Sequence, residues 1–342
     1  MRRAKVTPSN SKPRAKIRLG RSALAIAAGA GAGLLALIPL PYFIIAPGRA
    51  IDLATRVTVE DRPAAGAHYF LTDVTVARAT ILESLARFLP ATDLVPSAAV
   101  IPGDESPQAF DRTMTDAMTQ SQRVASYVAQ RAAGLPVRGD VIVRVGGFPP
   151  HVPAAAVLRV NDRIIAVARI RVRGTSDIAR AVAANGSHAA IAVTVERDGK
   201  RRTLRVPLTR VAGGARRLGI YVETRIPAVD LPVPVHFSMD DVSGASAGLM
   251  FALQIYADLR GISDARAIAG TGTIAPDGSV GPIEGTRQKF EAARRAGASV
   301  FFVPVANRGD LAHTDRGAIA IVPVQTFDEA LAYLTRTRAR TN

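Results

Sequence analysis

Between Ala23 and Ala46 the chain reads ALAIAAGAGAGLLALIPLPYFIIA, about 24 residues without a charged side chain, and no other stretch constrains the fold as strongly. At 1.5 Å per residue a helix of that length spans roughly 36 Å, more than the ~30 Å of a bilayer's hydrocarbon core. The sequence therefore predicts a transmembrane helix over 22–46, ended near the outer interface by Pro39 and Pro41. Tyr42 would then sit at headgroup depth. Eight basic residues and no acid come before it (Arg2, Arg3, Lys5, Lys12, Arg14, Lys16, Arg18 and Arg21). By the positive-inside rule, 1–21 is a cytoplasmic tail and the remainder an extracytoplasmic part of a single-pass cell-membrane protein with the lipid bilayer as a partner. A cleaved signal peptide is the competing reading, although its apolar core is usually about 7–15 residues long.

Charge and composition narrow the function. The 342 residues, enough for about two domains, carry 44 basic against 28 acidic side chains, and half of the net +16 lies in that tail. Aromatic residues make up only 5%, so stacking platforms for nucleic acid are lacking and no nucleic-acid partner is expected. Without cysteine there are no disulfides, thiolate metal sites or cysteine nucleophiles. His68, His151, His188 and His313 show no ligand spacing, so neither metal nor cofactor is expected. No G-x-x-x-x-G-K-[ST] loop is present for driving unfolding with ATP.

Beyond the apolar run, Tyr69–Ala77 alternates as a strand, with Tyr69, Leu71, Val74 and Val76 at apolar positions. Ser106–Ala133 has helical spacing, opening on Ser-Pro and closing at Gly134. Residues 138–210 have another texture: a strand at Val141–Val145, a helix at Ser176–Ala184, and a hairpin turning at Asp198-Gly199. The run PAAAVLRVNDRIIAV resembles the small-residue helix and L-x-x-G-D-x-I of a PDZ domain, with Asn161 in place of the usual glycine. No clear G-L-G-F-type carboxylate-binding loop precedes the first strand, Gly134-Leu135 being the nearest candidate, so addition of an extended or internal peptide as a strand is expected rather than capture of a terminal carboxylate.

Two residues carry the chemistry. Ser246, in G-A-S-A-G, directly precedes the apolar helical run LMFALQIYADL, where free N–H groups and the helix dipole could stabilise an oxyanion. A serine there can equally be a plain N-cap. Lys289 is one of only five lysines; three are in the tail and Lys200 is at the hairpin turn. Arginine keeps its proton in a protein, whereas a lysine among apolar neighbours can lose it and act as a base. A purely structural lysine is the alternative.

The segment 233–305 resembles the proteolytic domain of Lon-type serine peptidases, in particular the PDZ-containing, membrane-anchored Lon-like proteases of the YlbL type. The family's P-S-A-G matches A-S-A-G, which implies Ser246 as nucleophile. Its lysine motif matches E-G-T-R-Q-K-F-E-A-A-R-R-A-G, which implies Lys289 as base, with Glu284 replacing a glycine. Its T-G-x-I strand puts Thr271 in an orienting role, and Ala247 and Gly248 would supply oxyanion N–H groups. His236 is a rival base, ten residues before the serine, and Asp240 and Asp241 could pair with Lys289 at rest.

The resemblance implies an α+β fold: an N-terminal transmembrane helix, then a Lon-type domain made of 47–133 and 213–342, interrupted by a PDZ-like domain at 134–212. A serial order, with the early segment as a linker, is the alternative. The implied activity is ATP-independent hydrolysis of unfolded or extended proteins by a Ser–Lys dyad, with a peptide at the PDZ-like groove and a homo-hexameric ring. The competing function is a catalytically silent, membrane-tethered PDZ scaffold, with Glu284 as the mark of lost chemistry.

Overall fold

The computed structural model describes residues 37–101, 106–211, 214–227, 229–239 and 241–338. Its main strands are β1 (Pro39–Asp52), β2 (Val57–Val59), β3 (Ala67–Thr80), β4 (Asp93–Pro96), β5 (Ile142–Gly147), β6 (Arg163–Val167), β7 (Ile170–Arg171) and β8 (Ala190–Arg197). They continue with β9 (Lys200–Pro207), β10 (Tyr221–Arg225), β11 (Val235–Phe237), β12 (Asp264–Gly270), β13 (Thr273–Ile274), β14 (Val280–Gly281), β15 (Val300–Pro304) and β16 (Ala320–Val324). The longer helices are α1 (Pro107–Ala132), α2 (Thr175–Ala184), α3 (Gly248–Arg260), α4 (Thr286–Arg295) and α5 (Phe327–Arg338).

The expected transmembrane helix over 22–46 is corrected. No described helix is long and apolar enough to cross a membrane, and Pro39–Ala46 is the first half of a strand. The physical reason lies in the residues. Prolines at 39, 41 and 47 would each break a helix, while Tyr42, Phe43, Ile44 and Ile45 favour extended backbone. β1 pairs antiparallel with β3, Ile44 opposite Ala77 and Ile51 opposite Leu71, and with β4 on its other side. Two of the prolines, Pro39 and Pro47, adjoin shifts in register, where a missing N–H does least harm. The rest of the expected span, and the basic tail, lie outside the described residues.

The first sheet has the order β16–β15–β12–β3–β1–β4. Its four strands β16, β15, β12 and β3 run parallel. Alternation along them divides the core. Tyr69, Leu71, Ile268, Val300 and Phe302 face a cluster with α1, α3 and α5, whereas Phe70, Ala269, Phe301 and Val303 pack with Phe290 and Ala293 of α4. Helices therefore cover both faces, as parallel strands require.

The second sheet, β9–β8–β6–β5–β10 with β7 on β6, lies wholly within 142–225, whereas the first draws strands from either side of that stretch. Val143, Val145, Ile164, Val193 and Val195 bury one face under Ile178, Ala181 and Val182 of α2. Asp198 and Gly199 both have positive φ, as a two-residue hairpin turn demands, and Asn161 takes φ 71°. Its N–H reaches the Val145 carbonyl at 2.8 Å.

One carboxylate joins the two sheets' elements. Asp277, in the β13–β14 turn, accepts from the N–H (3.0 Å) and Oγ (2.5 Å) of Ser176 in the first turn of α2. Its other oxygen takes the N–H and Oγ of Ser279. Gly174 lies so close that a Cβ would collide with this carboxylate. Burial opposes the charge, but the bonds from Ser176 and Ser279 outweigh it and hold the Asp277 carboxyl below its usual range. Asp277→Ala should thus speed amide exchange in 174–184 and 273–281 together, measured by hydrogen–deuterium exchange; acceleration confined to 273–281 would mean that the contact does not hold α2.

Candidate active site

Nearly every residue of α3 from Gly248 to Leu259 is buried, so the apolar run needs no amphipathic stripe and the helix threads the core. The loop entering it is held from three sides. The Gly244 N–H donates to Met114 O and Ser121 Oγ donates to Ala245 O, both from α1. The Ser246 carbonyl accepts from the Gly272 N–H at 2.8 Å and from Thr271 Oγ1 at 3.1 Å. A Cβ at Gly248 would stand 2.9 Å from Ile274 Cγ2 and from Ser121 Oγ, so only glycine fits this helix start. Gly244 has φ 90°, the second place where the loop depends on glycine.

On the opposite face of the sheet, α4 starts from Gly285, at φ 70°, and buries Lys289 to 4% exposure. The Lys289 Nζ donates to Ser246 Oγ at 2.7 Å. Two helices from opposite faces therefore meet where β12 ends at Gly270 and Thr271, the carboxyl end at which parallel α/β sheets place their sites. Burial drives the Lys289 pKa down from 10.5 to about 8, against the upward pull of Asp73 and Glu284. Among the described residues no carboxylate forms an ion pair with it.

The remaining sequence candidates fall as follows. Thr271 Oγ1 donates to the backbone of the serine, so its observed partner is the loop rather than the amine. The Ala247 N–H has no acceptor among the described residues, and the Gly248 N–H makes only a 3.4 Å contact with Ala245 O. Both are available to an oxyanion. His236 is on β11, paired with Thr58 of β2, and Lys289 holds the serine hydroxyl instead. Glu284 is exposed. Asp241 pairs with Arg49 and Arg56, and Asp240 lies outside the described residues. No group of His, Asp or Glu among the described residues could hold a metal.

Three neighbours escaped sequence reading. Ser121 and Met114 brace the loop from a helix 120 to 130 residues upstream, a contact no local pattern announces. Asp73 had a signal: the apolar phase of β3 switches from Tyr69 and Leu71 to Val74 and Val76 across Thr72-Asp73, so the acid interrupts the alternation.

A serine hydroxyl bonded to a buried lysine amine is the pairing that serine hydrolases with a lysine base use. Residues 228–336 match the Lon protease (S16) C-terminal proteolytic domain. The chain is similar to the Lon protease of Azorhizobium caulinodans, 37% identical over 105 residues, which is 30% of this chain and 12% of that protein. It is similar also to the archaeal Lon protease of Archaeoglobus fulgidus, 29% identical over 116 residues, 33% of this chain and 19% of that one. The chain thus spans less than a fifth of these relatives. Among solved structures, the PDZ domain of an SdrC-like protein from Listeria monocytogenes is 20% identical, covering 23% of this chain and 85% of its own at a TM-score of 0.22.

Burying Lys289 costs stability. Its amine is held about 8 in the fold against 10.5 when free, so the penalty is full below pH 8 and disappears between pH 8 and 10.5. The difference corresponds to about 3 kcal/mol, offset by about 1 kcal/mol for the bond to Ser246. Lys289→Met should raise unfolding stability at pH 7 by about 2 kcal/mol, read from denaturant melts, with the gain vanishing above pH 10.

Proposed function

We propose that this protein is an ATP-independent serine endopeptidase that cleaves unfolded or extended proteins with a Ser246–Lys289 dyad. The observation that carries this is the 2.7 Å contact between a 4% exposed lysine amine and the serine hydroxyl at a helix start. With Lys289 neutral, Ser246 Oγ adds to the peptide carbonyl carbon as its proton passes to Nζ. The oxyanion forms against the Ala247 and Gly248 N–H groups at the positive end of α3. The ammonium next protonates the leaving amine as the C–N bond breaks. Water, deprotonated by the same amine, then releases the acyl product and restores the hydroxyl.

Substrate selection belongs, in this reading, to the PDZ-like stretch. β10 ends the second sheet, and among the described residues its outer edge is unpaired, so an extended peptide can add there through backbone hydrogen bonds. A segment that pairs in this way must already be unfolded, which suits a chain without a nucleotide-binding loop. The family likeness adds the proposal of a homo-oligomer, a ring of six.

The full chain should hydrolyse a chemically unfolded, cysteine-free protein without nucleotide, with kcat/KM rising through a midpoint at about pH 8. Ser246→Ala and Lys289→Arg should each lower kcat by at least about a thousandfold, the second because the charge is kept and the base lost. Cleavage that survives both substitutions would rule out the dyad.

A further inference from the structure

We propose that Arg49 is a positioning residue for the dyad: it holds the Asp73 carboxylate in a fixed pair of its own, and so keeps that carboxylate from pairing with the Lys289 amine. The inference rests on the dyad reading above and adds to it the group that keeps the base free.

The backbone creates the arrangement. In the β1–β3 ladder, Pro47 faces Val74 and Ala50 faces Thr72, so Gly48 and Arg49 bulge opposite the single residue Asp73. The approach is so close that a Cβ on Gly48 would collide with the Asp73 side chain. Arg49 then donates to Asp73 three times: from its backbone N–H, from Nε at 3.3 Å and from Nη2 at 3.1 Å. Its remaining nitrogen, Nη1, donates to Asp241 at 3.0 Å, five residues before the serine. Asp241 is also held by Arg56 Nη1 at 3.3 Å, and that same nitrogen donates to the Ser238 carbonyl at 3.0 Å. The fork of Arg49 is thus anchored at both ends.

The first turn of α4 packs on the residue next to Asp73: a Cβ on Gly285 would stand 2.9 Å from Val74 Cγ1, and the Gly285 carbonyl accepts from the Lys289 N–H at 3.0 Å. From there Asp73 pulls the Lys289 amine upward ahead of the exposed Glu284. The other acids on elements packed around α4 are engaged elsewhere: Asp93 of β4 by Arg287 and Gln288, Asp310 by Thr286 and Asn307, Asp52 by His68, and Asp264 by Arg266. On α4 itself Glu291 binds Arg294 and Arg295, and β15 carries no charge. Removing the Arg49 side chain would take away a nearby positive charge and free Asp73 to turn toward the amine. Both changes favour protonated lysine.

The test is the titration of Lys289 followed by NMR in full-length protein carrying 13C-labelled lysine, where five signals are expected and Lys289→Arg removes the one to follow. Arg49→Gln should move the midpoint up by about one pH unit, and Arg49→Gln combined with Asp73→Asn should bring it back to the wild-type value or below. An unmoved midpoint in Arg49→Gln, or a rise that persists in the double variant, overturns the proposal. Should Arg49→Gln fail to fold, Arg49→Lys, which keeps a charge but loses the fork, carries the test, with a smaller rise expected and no change counting against it. Because the titration needs no turnover, a shift in a protein that cleaves nothing would sustain the role of Arg49 and defeat the peptidase reading.

Discussion

A lysine amine shut away from water against a serine hydroxyl is the contact on which the rest of the arrangement depends. Removing the amine from solvent weakens its hold on the proton, and the lost hydration has to be offset by the surrounding packing. That packing comes from both faces of the first sheet: α3 brings the serine from one side and α4 the lysine from the other. Between them, Gly270 at the end of β12 leaves room for Met250 and Phe302, where a Cβ would stand 2.7 Å and 2.9 Å away. The site is thus an outcome of the core, and a change of volume at Gly270 or Gly248 would separate Ser246 Oγ from Lys289 Nζ without touching either.

Electrostatics divides the work between the two kinds of cation. Arginine, which stays charged, is used as clamp and ion-pair partner: Arg197 on Asp162, Arg266 on Asp264, and Arg49 on Asp73 and Asp241. Lys289, by contrast, is a buried lysine whose amine can lose its proton. With burial pulling the amine down and Asp73 pulling it up, its poise near neutral pH depends on how firmly the carboxylate is occupied.

Local chemistry was the part legible in the sequence. Asp198-Gly199 between alternating runs marks a hairpin because few other pairs accept two positive φ angles, and Asn161 tolerates the left-handed turn in which it lies. The helix that opens at Ser106-Pro107 shows its cap directly, Ser106 Oγ accepting from the Ala109 N–H. Apolarity without period misled: 39–46 is as uncharged as a membrane span, yet its prolines and β-branched residues make it a strand between two others. Ser246 and Lys289 stood out by motif and by rarity, but the bulge that sets Arg49 against Asp73 exists only once register is fixed. Pairings of that kind have no signature along the chain.

Covalent labelling by a fluorophosphonate serine probe, followed across pH with the modified peptide mapped by mass spectrometry, tests the central claim most directly. The account predicts modification at Ser246, at a rate that rises with pH through a midpoint at about 8. Absence of labelling at Ser246, or a rate that is flat from pH 6 to 10, would contradict it.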